Sequence, residues 1–179
     1  MFALIYPGYD IVNISEFGAF DSPIKTLANV FGFSLFGIFI MIFAIGIFRS
    51  NELNKFGKIS ASLIFLTGIL MYLVGIFPCD TGCENFSVLG DLHERASNYQ
   101  FPILALGLIF FVLSSFNNEK LRWLAGLIVV LGLTSLALGY VSMLFQGPIP
   151  YPGIIQRLAI GLPYLLMMII AFAMYRNSE

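Results

Sequence analysis

Five long apolar runs constrain this chain more than anything else in it. They are roughly Leu27–Phe48, Phe56–Phe77, Phe101–Phe116, Leu121–Phe145 and Ile154–Tyr175. All but the third reach the ~20 residues that a helix needs to cross a hydrocarbon core. Charge within them, as at Lys58 and Arg157, falls near an end. In hydrocarbon a segment must satisfy its own backbone groups, and a helix does so without neighbours. A barrel would need alternating stretches of ~10 residues, and these runs do not alternate. The chain is 59% hydrophobic and 11% charged, with a mean hydropathy of +0.91. A soluble domain carries about 25% charged residues, so the bilayer is the expected solvent. The expectation is an all-α, polytopic transmembrane bundle of five spanning helices, one membrane domain over 1–179, in the cell (plasma or inner) membrane.

The third run is too short alone. Its roughly 16 residues would reach ~24 Å at ~1.5 Å per residue, against a core of ~30 Å. Its helix must therefore begin upstream, and the spans become 27–48, 56–77, 96–116, 121–145 and 154–175, with a Cys loop over 78–95. That places His93, Glu94 and Arg95 at the membrane interface. Leu89, Leu92, Ala96 and Tyr99 recur at helical spacing, with His93, Ser97 and Gln100 along the edge of that face. Pro102 predicts a kink or a break. Before the first run, Met1–Tyr6 lacks a basic flank and does not read as a signal peptide. Pro7-Gly8-Tyr9-Asp10 reads as a turn. Ser22-Pro23 reads as a helix start, with Ser22 as N-cap.

Basic residues set the orientation. Arg49, Lys55, Lys58, Lys120, Arg122 and Arg176 share one side if the helices alternate, and Lys25, Arg95 and Arg157 the other. The richer side is assigned to the cytoplasm, with the N-terminus outside and the C-terminus inside. Seven of the ten acids, including Glu16, Asp21, Asp80, Asp91 and Glu94, then gather on the outer face. The net charge of −1 carries no electrostatic footprint for nucleic acid.

Chemistry concentrates between the second and third runs. Cys79 and Cys83 lie four apart in an outer loop, where a structural disulfide is expected. Thiol exchange would more typically read Cys-x-x-Cys, and zinc would need both thiolates with His93 and a carboxylate. No metal and no cofactor is assigned. His93, the single histidine, has the side chain suited to acid–base work near neutrality. Asp80, Asp91 or Glu94 could orient it; otherwise it caps or bridges helices. Arg157, next to Gln156, stands near the outer boundary, where a charge snorkels, pairs with Asp80, Glu94 or Glu16, or holds a phosphate. Asp91 and Arg95, spaced i and i+4, suit a surface ion pair or a pocket rim. Glu16 and Asp21 are either pocket or solvated loop acids. The many Phe residues suit packing and lipid contact, and the glycines close helix approach. The chain has no nucleophile elbow, His-Glu-x-x-His or haem-type Cys-x-x-Cys-His.

Several blocks together resemble a known family. They are Tyr6-Pro-Gly-Tyr9, Ile14-Ser-Glu-Phe-Gly-Ala19 with Ser22-Pro23, Phe77-Pro-Cys-Asp80 with Gly82-Cys83, Leu92-His93 and Gly153-x-x-Gln-Arg157. The chain resembles the domain-of-unknown-function 998 family of polytopic bacterial and archaeal membrane proteins over nearly its whole length. The resemblance implies a helical membrane bundle whose signature residues, here Glu16, Cys79, Asp80, Cys83, His93 and Arg157, cluster on one face. It implies no established activity. Members usually carry a further hydrophobic helix before the Pro-Gly-Tyr block, where this chain has six residues. They also commonly carry an acid at the position of Gln156.

Three functions fit. The first is lipid binding in an outer-leaflet polar pocket, with Arg157 on an anionic headgroup and Glu16, Gln156, Asp91 and Arg95 among its ligand-binding residues. The second is catalysis on a lipid or lipid-linked substrate, with His93 as acid or base and Asp80 or Glu94 orienting it. The third is assembly with other membrane proteins, or with further copies of this chain.

Overall fold

The computed structural model describes residues 12–51, 53–144 and 152–178. These contain no strand. Among the described residues, five helices are long and apolar enough to cross a membrane. We number them α1 (Lys25–Arg49), α2 (Lys55–Ile76), α3 (Val88–Ser115), α4 (Arg122–Leu144) and α5 (Pro152–Ser178). The chain is thus a multi-pass membrane protein. Two short 3-10 turns, Ile14–Gly18 and Thr81–Cys83, lie outside the spans. The turn expected over residues 7–10 lies outside the described residues.

Helix α1 starts two residues later than Ser22-Pro23 suggests. Its N-cap position is Ile24, while the Ser22 hydroxyl accepts the Ile24 amide at 3.3 Å, in the turn before it. Residues Ala28–Ser34 wind as a π-helix. Here α1 meets Gly75 of α2, where a side chain would collide with the Asn29 carbonyl and Ser34. One level deeper, Gly37 and Gly68 let the backbones of α1 and α2 touch. A Cβ on Gly37 would stand 2.6 Å from the Gly68 carbonyl. Asn54 caps α2, accepting the Phe56 amide at 2.9 Å. Lys58 then reaches back to the last carbonyls of α1, at Phe48 and Ser50.

Helix α3 differs most from expectation. It begins at Val88, inside the segment assigned to the Cys loop, and runs through Pro102 to Ser115 without a break. Ser87 caps it, accepting the Gly90 amide at 3.1 Å. A proline within a membrane helix is tolerated where neighbours re-satisfy the freed backbone. The extra turns turn inward a different edge from the apolar one. His93, Ala96 and Gln100 are buried, whereas Leu89, Leu92 and Tyr99 are exposed.

Helices α4 and α5 form a hairpin tied by the Ser135 hydroxyl, which donates to the Ala159 carbonyl at 2.6 Å. An edge-to-face pair, Phe36 with Tyr164 at 4.2 Å between ring centres, joins α1 to α5. Ile64, Phe111, Leu124, Leu166 and Ile170 are fully enclosed in the common core. Outward, Phe39, Ile42, Val130, Leu133, Met168 and Phe172 are all more than half exposed, an apolar belt suited to lipid rather than water.

Candidate functional site

One end of the bundle gathers the expected signature segments. The Phe20 amide donates to the Cys79 carbonyl at 3.2 Å, and Cys79 Sγ lies 3.2 Å from the Ser15 carbonyl. The Arg157 guanidinium donates to the Val12 carbonyl at 3.2 Å and sits over the Phe17 ring at 5.0 Å. Gln156 Oε1 accepts the Ile14 amide at 2.6 Å. The N-terminal 3-10 turn is therefore clamped between the Cys loop and the first turns of α5.

Beneath this clamp lies a cavity of about 460 Å³. Its polar wall comes from Asn13 and Ser15, Asn85, the α3 residues His93, Glu94, Ser97 and Asn98, Ser135 of α4 and Gln156 of α5. Cys79 and Cys83 line it too, joined as a disulfide with Cα atoms 5.0 Å apart. Phe101, Ser135 and Leu136 line both this chamber and a second, apolar groove of about 250 Å³. The groove runs between α3 and α4 past Leu104, Leu108, Gly132 and Leu133, with Pro163 of α5 at one side. Among the described lining residues of the chamber, Glu94 alone carries a full charge.

The candidate residues take distinct places. His93 is buried, with Nδ1 turned to two carbonyls at the end of α2, Phe77 at 2.6 Å and Val74 at 3.1 Å. Carbonyls only accept, so Nδ1 carries the proton, and whenever the ring is neutral Nε2 holds the lone pair. That Nε2 is buried and has no protein partner among the described residues. Asp80 is also buried but does not meet His93. Its carboxylate accepts the Ser87 hydroxyl at 2.7 Å and the Ser87 and Phe86 amides at 2.9 and 3.1 Å. It thus sits at the positive end of α3, where a carboxylate is stabilised by unpaired amides. Gly90 makes the room, since a Cβ there would strike the carboxylate. The Ser87 hydroxyl above all, and then the two amides, hold Asp80 below the ordinary carboxylate range of 3.8, against an opposing effect of burial.

Of the other candidates, Glu94 and Gln156 line the chamber and the rest stand apart from it. Asp91 and Arg95 form an exposed i, i+4 pair at 2.9 Å. Glu16 accepts the Asn13 amide at 2.7 Å, closing a local capping box. Arg157 does not line the cavity. Glu94 lies at the rim, accepting from Asn85 and, at 3.5 Å, from Asn98. With Cys79 and Cys83 bonded to each other, the two thiolates that a zinc set would draw on are tied up. Among the described residues no group of three or more His, Cys, Asp and Glu side chains is placed to hold a metal.

A family model described as "Protein of unknown function (DUF998)" matches residues 2–173. This chain belongs to that family. No curated protein and no solved structure matches it. In this DUF998 chain, sequence reading passed over Asn13, Ser15, Asn85, Asn98 and Ser135. Ser135 offered a signal, as a hydroxyl in mid-span, and intramembrane polar groups mark functional or packing sites. Asn13, Ser15 and Asn85 sit in turns, where polar residues are too common to stand out, and Asn98 lies in the interfacial first turns of α3, where a polar residue is equally ordinary.

Proposed function

We propose that the protein binds a membrane lipid, with the headgroup in the polar chamber and an acyl chain in the groove between α3 and α4. The observation that carries this reading is the adjacency of the two cavities, which share Phe101, Ser135 and Leu136 in their walls. A polar pocket beside an apolar furrow matches an amphiphile and neither a free solute nor a bare hydrocarbon. The headgroup is uncharged and bears hydroxyls. Amides and hydroxyls supply most of the polar groups on the described wall, and Glu94 would repel a phosphate. His93 Nε2 supplies a buried acceptor for one ligand hydroxyl. Arg157 works as a clamp on Val12 and Phe17 rather than as an anion receptor. The chamber faces the outer leaflet of the cell membrane, because basic residues concentrate at the opposite end.

Native mass spectrometry of protein extracted from its own membrane tests this. One retained lipid with a hydroxylated, uncharged headgroup is expected. Gly132→Phe would block the groove and release it, since a Cβ at Gly132 meets nothing within 4 Å and the fold should stand. Retention of that lipid by folded Gly132→Phe protein would refute the reading.

A second reading is general-base catalysis on the bound lipid. It draws on the same Nε2, held by the Phe77 carbonyl in the way a carboxylate orients a catalytic imidazole. Under it, His93→Gln would keep the lipid and abolish its turnover. Under simple binding, His93→Gln would weaken retention and there would be no turnover to lose.

A further inference from the structure

A separate cavity of about 550 Å³ opens at the opposite end of the bundle, between the last turns of α1 and α5. Phe43, Gly46, Ile47, Ala171 and Met174 give it apolar walls, and Arg49, Ser50, Asn51 and Tyr175 a polar mouth. It shares no lining residue with the chamber. Arg49 makes no ion pair among the described residues, and its side chain is exposed. A helix C-terminus ordinarily repels an anion through its free carbonyls. Here the Lys58 ammonium occupies the carbonyls of Phe48 and Ser50, on either side of Arg49. The local potential therefore favours negative charge. Of the chain's charges, six basic and three acidic residues belong to the links and tail at this end.

We infer that this cavity is a binding site for an anionic phospholipid of the leaflet at the basic end, with the phosphate on Arg49 and an acyl chain over Gly46. The guanidinium stands where a spanning helix ends, at the depth of a phosphate ester, and matches its oxygens with paired N–H donors. The apolar walls run inward from that point, as a lipid tail does. Gly46 leaves them open, since a Cβ there would meet no atom within 4 Å. A neutral or zwitterionic lipid would fill the same walls without using the charge. A second copy of this chain would present its own basic residues to Arg49.

The full chain, delipidated in detergent, is titrated with phosphatidylglycerol or phosphatidylcholine and bound lipid is counted by native mass spectrometry. Wild-type protein should retain phosphatidylglycerol roughly fivefold better, the worth of about one basic residue at an anionic surface. Arg49→Gln should erase that preference and Arg49→Lys keep most of it. Gly46→Phe should lower retention of phosphatidylglycerol, while Gly126→Phe, at an open position that lines none of the three cavities, should leave both retention and preference intact. Wild-type preference surviving in folded Arg49→Gln protein overturns the site. So does unchanged retention in folded Gly46→Phe protein, or a dimer that this variant dissociates without changing lipid count. Failure of the chamber reading would leave these outcomes unaffected.

Discussion

At the scale of single residues, the two buried ionisable groups of the Cys-loop end divide the work. Asp80 spends its oxygens on the start of α3. His93 spends one nitrogen on α2 and keeps the other. Asp80→Asn should lower the unfolding midpoint in detergent at neutral pH. The sign of its pH dependence follows from a folded-state pKa below 3.8. Such a group stabilises fully above its unfolded value, and the benefit drains as acid takes pH down through the folded value. The gap between wild type and Asp80→Asn should therefore be constant above about pH 5 and close below the ordinary carboxylate range. A gap that widened in acid would contradict the assignment. In the core, Phe111 is fully enclosed. Phe111→Ala should cost about 3–5 kcal/mol in an unfolding titration.

At the scale of elements, helix contacts depend on missing side chains as much as on present ones. The Gly37–Gly68 crossing has no room for a methyl group on either helix. Gly68→Val should destabilise by about 1–3 kcal/mol through overpacking, measured by thermal unfolding. Gly126→Val, where a Cβ meets nothing within 4 Å, is the neutral control. Equal effects of the two would show that α1 and α2 do not cross there. Gly90→Ala should act differently, by pushing the Asp80 carboxylate off the α3 amides. Its loss should be non-additive with Asp80→Asn in a double-mutant cycle, because both remove one interaction.

At the scale of the whole molecule, charge separates along the bundle. Acids predominate at the Cys-loop end and bases at the other, which predicts a fixed insertion. Asp21→Cys and Asn117→Cys each place a thiol at an exposed position, beside the Cys loop and in the α3–α4 link respectively. In intact cells a membrane-impermeant maleimide should label only the former, and after lysis both. The reverse pattern would invert the topology and move the proposed lipid sites to opposite leaflets.

Length and hydropathy were enough, read along the chain, to establish five helices and their alternation, because a bilayer leaves an apolar segment little other choice. The positions of the signature blocks in the links likewise announced that they would share one end. Where α3 begins was not legible. It depends on Ser87 and Asp80 capping amides, and the Asp80 contact joins residues in different segments only after the loop folds back. Nor could spacing show that Asp80 caps α3 and Arg157 reaches the Val12 carbonyl, or that Asn98 and Ser135 line the chamber. Periodicity reports which residues share a helix face. Which face turns inward, and which partner each polar atom finds there, is decided by how the helices pack.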